Sequence, residues 1–136
     1  MNRTEVDRDI EETLGLVPHF FKDVPDYLIE TEWKSVKALE LSDQTAIPNK
    51  YKDLIGLAVS GATRCAYCAY FHREAARLWG ATDEEINEAA LVAKQVMGWS
   101  TYLNTLQYDH AEFELEFDRM AAHIREMMQM KVPAGV

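Results

Sequence analysis

Apolar residues that recur every three or four positions are the strongest constraint on the fold of this chain. Between about Asp26 and Leu41 the recurring residues are Leu28, Ile29, Trp33, Val36 and Leu39. This spacing places side chains on one face of an α-helix, where they can be buried together. No segment shows the two-residue alternation of a half-buried β-strand with comparable clarity. The sequence therefore predicts an all-α fold.

A second helix is predicted to begin at Pro48 and to break between Ser60 and Arg64. Its residues Leu54, Ile55, Leu57, Ala58 and Val59 are apolar nearly all round. A helix with this pattern is expected to be central in the fold and buried on most sides.

Three more helices are predicted downstream. One runs from about Cys65 to Leu78 with Gly80 as its left-handed cap, the next begins with the capping box Thr82-Asp83-Glu84-Glu85, and the last begins at Asp109. Short links and the lack of repeats predict a single domain over residues 1–136, folded as a compact bundle of five to six helices. Its ordered core is expected to span about 11–130, with loose ends at 1 to about 10 and at 131–136.

The acidic balance of the chain limits its partners. There are 23 Asp and Glu residues against 14 Lys and Arg, a formal net charge of −9, so nucleic-acid phosphates and anionic membranes would be repelled. The segment 1–9 alternates in charge and lacks a secretion signal, and no run approaches the roughly 18 apolar residues of a membrane span. We therefore expect a cytoplasmic protein with no nucleic-acid or membrane partner.

The motif Cys65-Ala66-Tyr67-Cys68 is the main indication of chemistry. In a reducing cytoplasm this pair is not expected to be a permanent staple, which leaves redox catalysis or metal binding. At about 100° per residue on a helix, Cys65, Cys68 and His72 lie at about 0°, 300° and 340°, so they share one narrow face. A helix N-terminus and a nearby imidazole both favour the reactive thiolate, and a peroxide-oxidised thiol can condense with the second thiol to a disulfide.

Other interpretations stay open at this point. The cysteines could be small buried residues, or they could bind zinc with His72, in which case a fourth ligand would come from an isolated residue such as His110, His123 or Asp53. The polar segment Ser100–Asn104 is expected to satisfy local backbone groups. The methionines are expected to fill gaps in the core or to lie in a subunit interface.

The order of these features resembles a known family. The apolar stretch Leu54–Ser60, the break, the C-x-x-C motif and His72 resemble the carboxymuconolactone decarboxylase superfamily, and specifically its alkylhydroperoxidase D-like branch. The segments Leu14–Phe21 and Ser100–Asn104 are also similar to segments that flank the motif in many members. The resemblance covers roughly Glu11 to Asp118.

The resemblance implies an all-helical subunit that assembles into trimers or hexamers. It also implies thiol-dependent reduction of a small-molecule hydroperoxide, with a disulfide formed during turnover and an unidentified thiol or dithiol as reductant, and neither a cofactor nor a metal ion. In the family's pattern the second cysteine attacks the peroxide and the first resolves it, which assigns these roles to Cys68 and Cys65. His72 becomes the base, and its position one helical turn from Cys68 independently favours this division.

Two positions depart from the family's pattern. Asp53 stands where a Glu usually lies, twelve residues before the first cysteine, so its carboxylate is one methylene shorter and a bridging water could restore its contact with the base. Tyr67 stands where the best-known members carry a His, and a phenol cannot act as a base at neutral pH. The alternatives to a peroxidase are a carboxymuconolactone-type decarboxylase, which would not rely on the cysteine pair, and a redox- or zinc-responsive module without enzymatic activity.

Overall fold

The computed structural model describes residues Met1–Lys131, and this part of the chain is all-α without any strand, as predicted. Its helices are α1 Arg3–Leu14, α2 His19–Lys22, α3 Asp26–Val36, α4 Asn49–Thr63, α5 Ala66–Leu78, α6 Asp83–Thr105 and α7 His110–Lys131. A π-helical segment, Lys37–Leu41, follows α3 directly. The number of α-helices in the described part is therefore seven, more than the five to six predicted. Residues 132–136, which belong to the predicted loose C-terminus, lie outside the described residues.

Internal contacts divide the chain into two compact units, Met1–Ala93 and Lys94–Val136. Helix α6 begins in the first unit and ends in the second. The single domain over residues 1–136 stays a prediction. All four residues assigned to the site by sequence, Asp53, Cys65, Cys68 and His72, belong to the first unit.

The prediction of a loose segment from residue 1 to about 10 is wrong, because α1 begins at Arg3. Asn2 and Glu5 form a capping box in which each side chain accepts a hydrogen bond from the other's backbone N–H. Val6 and Ile10, one turn apart, are fully buried. These two apolar side chains anchor α1, whose other faces carry charged residues. Two apolar residues are too few to give a clear helical pattern in the sequence. The ordered part begins near residue 3 and not near residue 11.

The core of the first unit joins α1 to the next two helices. Its buried members are Val6, Ile10, Phe21, Ile29 and Trp33. Phe21 lies on the short α2 and packs edge-on against Trp33, with ring centroids 5.7 Å apart. The predicted helical segment from Asp26 to Leu41 is confirmed, with its last turn formed by the π-helical segment.

Helix α4 differs from its prediction in two ways. It continues through the expected break to Thr63 and ends only at Arg64, which adopts a left-handed conformation with φ of 57°. Its buried residues are polar, Asn49, Asp53 and Ser60, whereas Ile55 and Val59 are more than half exposed. The face of α4 that packs on α5 carries polar and small residues, and Leu54 and Leu57 are only half-buried. The prediction that α4 is buried on most sides is therefore wrong.

The remaining predicted helices are confirmed. Helix α5 ends at Leu78, and Gly80 follows with φ of 86°. Thr82 and Glu85 form the predicted capping box, with hydrogen bonds of 2.9 and 3.1 Å between side chains and backbone. Asp109 caps α7 by accepting a hydrogen bond from the backbone N–H of Glu112 at 2.8 Å. None of the described helices is both long enough and apolar enough to span a membrane.

Candidate active site

Helices α4 and α5 form a helical hairpin that carries the four site residues. The two-residue connection, Arg64 and Cys65, is closed by the backbone N–H of Cys65, which donates to the carbonyl oxygen of Ser60 at 3.0 Å. Four residues spaced as on one helical stripe, Asn49, Asp53, Gly56 and Ser60, run along α4. Three of them are buried, and the fourth, Gly56, faces His72 of α5. The hairpin thus places the carboxylate of one helix beside the motif of the other.

The two cysteines lie at the N-terminus of α5 and are joined by a disulfide. Cys65 is the N-cap residue, and its Sγ accepts a hydrogen bond from the backbone N–H of Cys68 at 3.2 Å. This amide is one of the free N–H groups of the first helical turn, a place that favours a thiolate once the disulfide is reduced. The sequence predicted that the cysteines open a helix, and the structure confirms this.

Asp53 and His72 contact each other directly. Asp53 Oδ1 lies 2.9 Å from His72 Nδ1, so the shorter carboxylate reaches the imidazole directly, without a bridging water. Asp53 is only 7% exposed. A carboxylate at this place accepts the Nδ1–H of the neutral imidazole, which leaves Nε2 as its free basic nitrogen. The pair therefore has the geometry of a base oriented by a carboxylate.

A cavity of about 600 Å³ opens beside this pair and is lined by both Cys68 and His72. Most of its wall is apolar, with Leu39, Ile47, Ile55 and Val59 among the lining residues. Cys65 is not among the residues that line it. The cavity therefore gives an apolar molecule access to one sulfur of the pair and to the imidazole.

One wall of the cavity belongs to the segment that connects the π-helical turn to α4. Lys52 fixes this segment, because its Nζ donates to the carbonyl of Ser42 at 3.0 Å and to Oγ1 of Thr45 at 2.7 Å, and also to the carbonyl of Leu39. Lys52 directly precedes Asp53 in α4. The same turn of the helix thus shapes the cavity and supplies the carboxylate.

Gly56 was not among the site residues predicted from the sequence. It lies in the interior of α4, three residues after Asp53, and a side chain there would collide with the ring of His72. Glycine in a helix interior is unfavourable by about 1 kcal/mol relative to alanine. Its presence between two candidate site residues was therefore the sequence feature that could have indicated a role for this position.

The structure also places the residues for which metal binding or a local structural role was considered. Within the described residues, no group of three or more His, Cys, Asp or Glu side chains is arranged to hold a metal ion. His110 and His123, considered as zinc ligands, lie on α7. In the segment Ser100–Asn104, the side chains of Thr101 and Asn104 donate to carbonyls of their own helix at 2.9 and 2.7 Å, in keeping with the predicted local role. Tyr67 is 91% exposed beside Cys68.

Comparisons with known proteins find one similar crystal structure and one curated relative. The fold is similar to the crystal structure of the alkylhydroperoxidase AhpD core from Rhodospirillum rubrum, with a TM-score of 0.69 and 27% sequence identity over 82% of this chain and 85% of that one. A curated relative, uncharacterized protein 4 in cox locus from Paracoccus denitrificans, is 39% identical over 57 residues, or 42% of this chain. The chain spans about half the length of that relative, 51%.

The sequence model of the carboxymuconolactone decarboxylase family matches residues 23–111. This range contains both helices of the hairpin, the cysteine pair, and the contact between Asp53 and His72. It accounts for well over half of the chain, and the likeness to the AhpD core covers 82% of the chain. The chain belongs to the carboxymuconolactone decarboxylase family and has the AhpD-like fold.

Proposed function

We propose that this protein is a thiol-dependent peroxidase that reduces hydroperoxides through a dithiol–disulfide cycle of Cys65 and Cys68. The observation that carries the proposal is the cavity, because it brings Cys68 together with an imidazole that a buried carboxylate orients. The disulfide between the two cysteines is the oxidised state that such a cycle requires. The likeness to the alkylhydroperoxidase AhpD core supports the same chemistry.

The reaction begins with the reduced pair. His72 takes the proton of the Cys68 thiol, and the thiolate attacks the terminal oxygen of a hydroperoxide ROOH. The O–O bond breaks, Cys68 becomes a sulfenic acid, and the alkoxide leaves with the proton that His72 returns. The Cys65 thiol then attacks the sulfenic sulfur, which forms the disulfide and releases water. A dithiol reductant reduces the disulfide, so one hydroperoxide and one dithiol yield an alcohol, water and an oxidised dithiol.

The four site residues divide the steps of this scheme among them. Cys68 is the peroxide-reducing thiol because it lines the cavity, and Cys65 resolves the sulfenic acid. His72 is the base and then the acid. Asp53 holds the tautomer of His72 and stabilises the imidazolium that forms after proton transfer. The apolar wall accommodates the organic group of the hydroperoxide.

The setting of this activity is part of the proposal. The protein works in the cytoplasm as a homo-oligomer, a trimer or hexamer, with an unidentified thiol or dithiol as its electron donor. Exposed apolar residues outside the cavity, such as Phe113 and Phe117 of α7, support association with further copies of this chain. Neither a nucleic acid nor a membrane is a partner in this proposal, and the cycle needs no cofactor.

The test is hydroperoxide consumption with dithiothreitol as donor. Wild type is compared with Cys68→Ser and His72→Gln, and His110→Gln serves as the matched control because His110 is an exposed histidine on α7. We expect loss of turnover in Cys68→Ser, and a loss of about 10²-fold or more in His72→Gln. His110→Gln should match wild type. If one equivalent of hydroperoxide consumes no thiol of the reduced wild type, the proposal is wrong.

The same variants separate the alternative functions. A decarboxylase of carboxymuconolactone-type acids, which the family name brings into consideration, would keep its turnover in a Cys65→Ser/Cys68→Ser double variant. A zinc-responsive module would be purified with about one zinc ion per chain and would show no thiol-dependent peroxide consumption.

A further inference from the structure

We propose that Gly56 is a positioning residue for His72: the missing side chain at this place in α4 is what allows the imidazole to lie against the helix and reach Asp53. The inference rests on the proposed function for its kinetic consequence. Its structural part, the position of the His72 ring against α4, can be tested without an enzyme assay.

The space around Gly56 carries the argument. A Cβ atom built on Gly56 would lie 2.5 Å from Cε1, 2.6 Å from Nδ1 and 2.7 Å from Cγ of His72. Real Cβ atoms essentially never come within 3.0 Å of such neighbours. All three atoms belong to the imidazole ring, so even the smallest side chain would occupy the place of the ring.

The ring cannot move aside without losing its partner. Nδ1, one of the three atoms in the way, is also the atom that contacts Asp53 Oδ1 at 2.9 Å. Asp53 is buried and lies one turn before Gly56 on the same face of α4. Relief of the collision therefore requires either rotation of the imidazole away from Asp53 or separation of α5 from α4. Both changes would break the contact that orients the base.

The helix gives no other reason for a glycine here. Gly56 lies in the interior of α4, where alanine would be more favourable, and it does not have the positive φ that glycine alone adopts easily. Gly61, in the same helix, is the internal comparison, because a Cβ atom built there meets nothing within 4 Å. A glycine-to-alanine change at 61 therefore reports the backbone effect alone, and the same change at 56 adds the collision with His72.

The first experiment compares Gly56→Ala with Gly61→Ala. We expect Gly61→Ala to keep kcat/KM for the hydroperoxide within about twofold, while Gly56→Ala loses about tenfold or more, mainly in kcat, because acid–base catalysis supplies about 10²- to 10⁴-fold. In long-range ¹H–¹⁵N spectra of the imidazoles, His72 should have a single tautomer in wild type and Gly61→Ala. A mixture of tautomers is expected in Gly56→Ala.

A double-variant cycle keeps the inference testable whatever the activity. Gly56→Ala is expected to lower Tm in the wild-type background. In a His72→Ala background, where no ring is present, it is expected to raise Tm, as is expected of Gly61→Ala. If Gly56→Ala has the same effect on Tm with and without His72, and the His72 tautomer is unchanged, the inference is wrong. Absence of peroxidase activity in the wild type would overturn the proposed function but would leave this coupling intact.

Discussion

Asp53 and His72 lie on different helices of the hairpin, yet their side chains meet at 2.9 Å without an intervening atom. The aspartate is buried, so water does not compete freely for its contact with the imidazole. A glutamate would have to fold its extra methylene into the same closed space. The shorter carboxylate is therefore matched to this close packing of α4 on α5.

Removal of the charge at Asp53 tests the role of this contact. Asp53→Asn is predicted to lower kcat/KM about 10²-fold, because the amide can fix the wrong tautomer and cannot stabilise the imidazolium. Asp53→Glu should recover only part of the rate, since its carboxylate overreaches. Stopped-flow measurement of the first thiol oxidation gives these rates. Asp23→Asn, an exposed aspartate that follows α2, is the control, and a wild-type rate in Asp53→Asn would contradict the assignment.

The different surroundings of the two sulfurs predict different oxidation products. Cys65→Ser keeps the sulfur that lines the cavity, so one equivalent of hydroperoxide should leave a sulfenic acid on Cys68 that dimedone traps. Cys68→Ser should give no dimedone adduct at a comparable rate, although the helix amide that contacts Cys65 favours its thiolate. Mass spectrometry of the modified peptide identifies which cysteine carries the adduct. An adduct on Cys65 alone would reverse the two roles.

The apolar wall of the cavity predicts a preference for organic hydroperoxides. Val59→Trp places a larger side chain on this wall, so it should raise KM for cumene hydroperoxide about tenfold, an energy near 1.4 kcal/mol. KM for hydrogen peroxide should change less than twofold. Leu78→Trp, at an exposed position near the end of α5 that does not line the cavity, is the matched control. A parallel rise for both peroxides would argue against a binding role of this wall.

The sequence predicted the helices whose start or stop signals are local. The capping box at Thr82 and the left-handed Gly80 depend on residues within one turn, and both are confirmed. Helix α1 was not predicted, because only two of its residues, Val6 and Ile10, are apolar and buried, and most of the others are charged or polar. Their partners, such as Trp33, are distant in sequence.

The interior of the hairpin was the part that apolar periodicity could not predict. In α4 the buried residues are Asn49, Asp53 and Ser60, so hydrophobicity pointed to the wrong faces. The direct reach of Asp53 to His72 depends on how closely α4 and α5 approach, and the His72 ring lies where a side chain at Gly56 would be. Patterns of neighbouring residues cannot predict this interhelical distance.

A cluster at Asp9 predicts how stability depends on pH. Asp9 accepts hydrogen bonds from Lys37 Nζ at 2.7 Å and from the Trp33 indole at 2.6 Å. These hydrogen bonds, first that from Lys37 and then that from Trp33, hold the pKa of the Asp9 carboxyl below its usual 3.8. A lowered pKa contributes stability that is present above the unfolded value and is lost as the pH falls through the folded value.

Asp9→Asn is therefore predicted to lower Tm at pH 7 and to differ little from wild type well below pH 3.8. Thermal unfolding followed by circular dichroism between pH 7 and pH 2.5 measures the difference. Glu12→Gln, an exposed change on the same helix, is the control and should leave Tm nearly unchanged throughout. A Tm difference that stays constant with pH would show that packing, and not the ionised carboxylate, is responsible.

Helix α7 carries an apolar stripe that predicts self-association. Phe113, Phe117, Met120 and Ile124 recur at helical spacing, yet each is between 41 and 56% exposed. A contiguous stripe of this kind marks an interaction surface. Light scattering after gel filtration should show an oligomer for wild type and for Glu116→Lys. Phe117→Lys should shift the population to smaller species, because a charge in an apolar contact is costly unless it is paired. A monomeric wild type, or equal dissociation in both variants, would contradict the prediction.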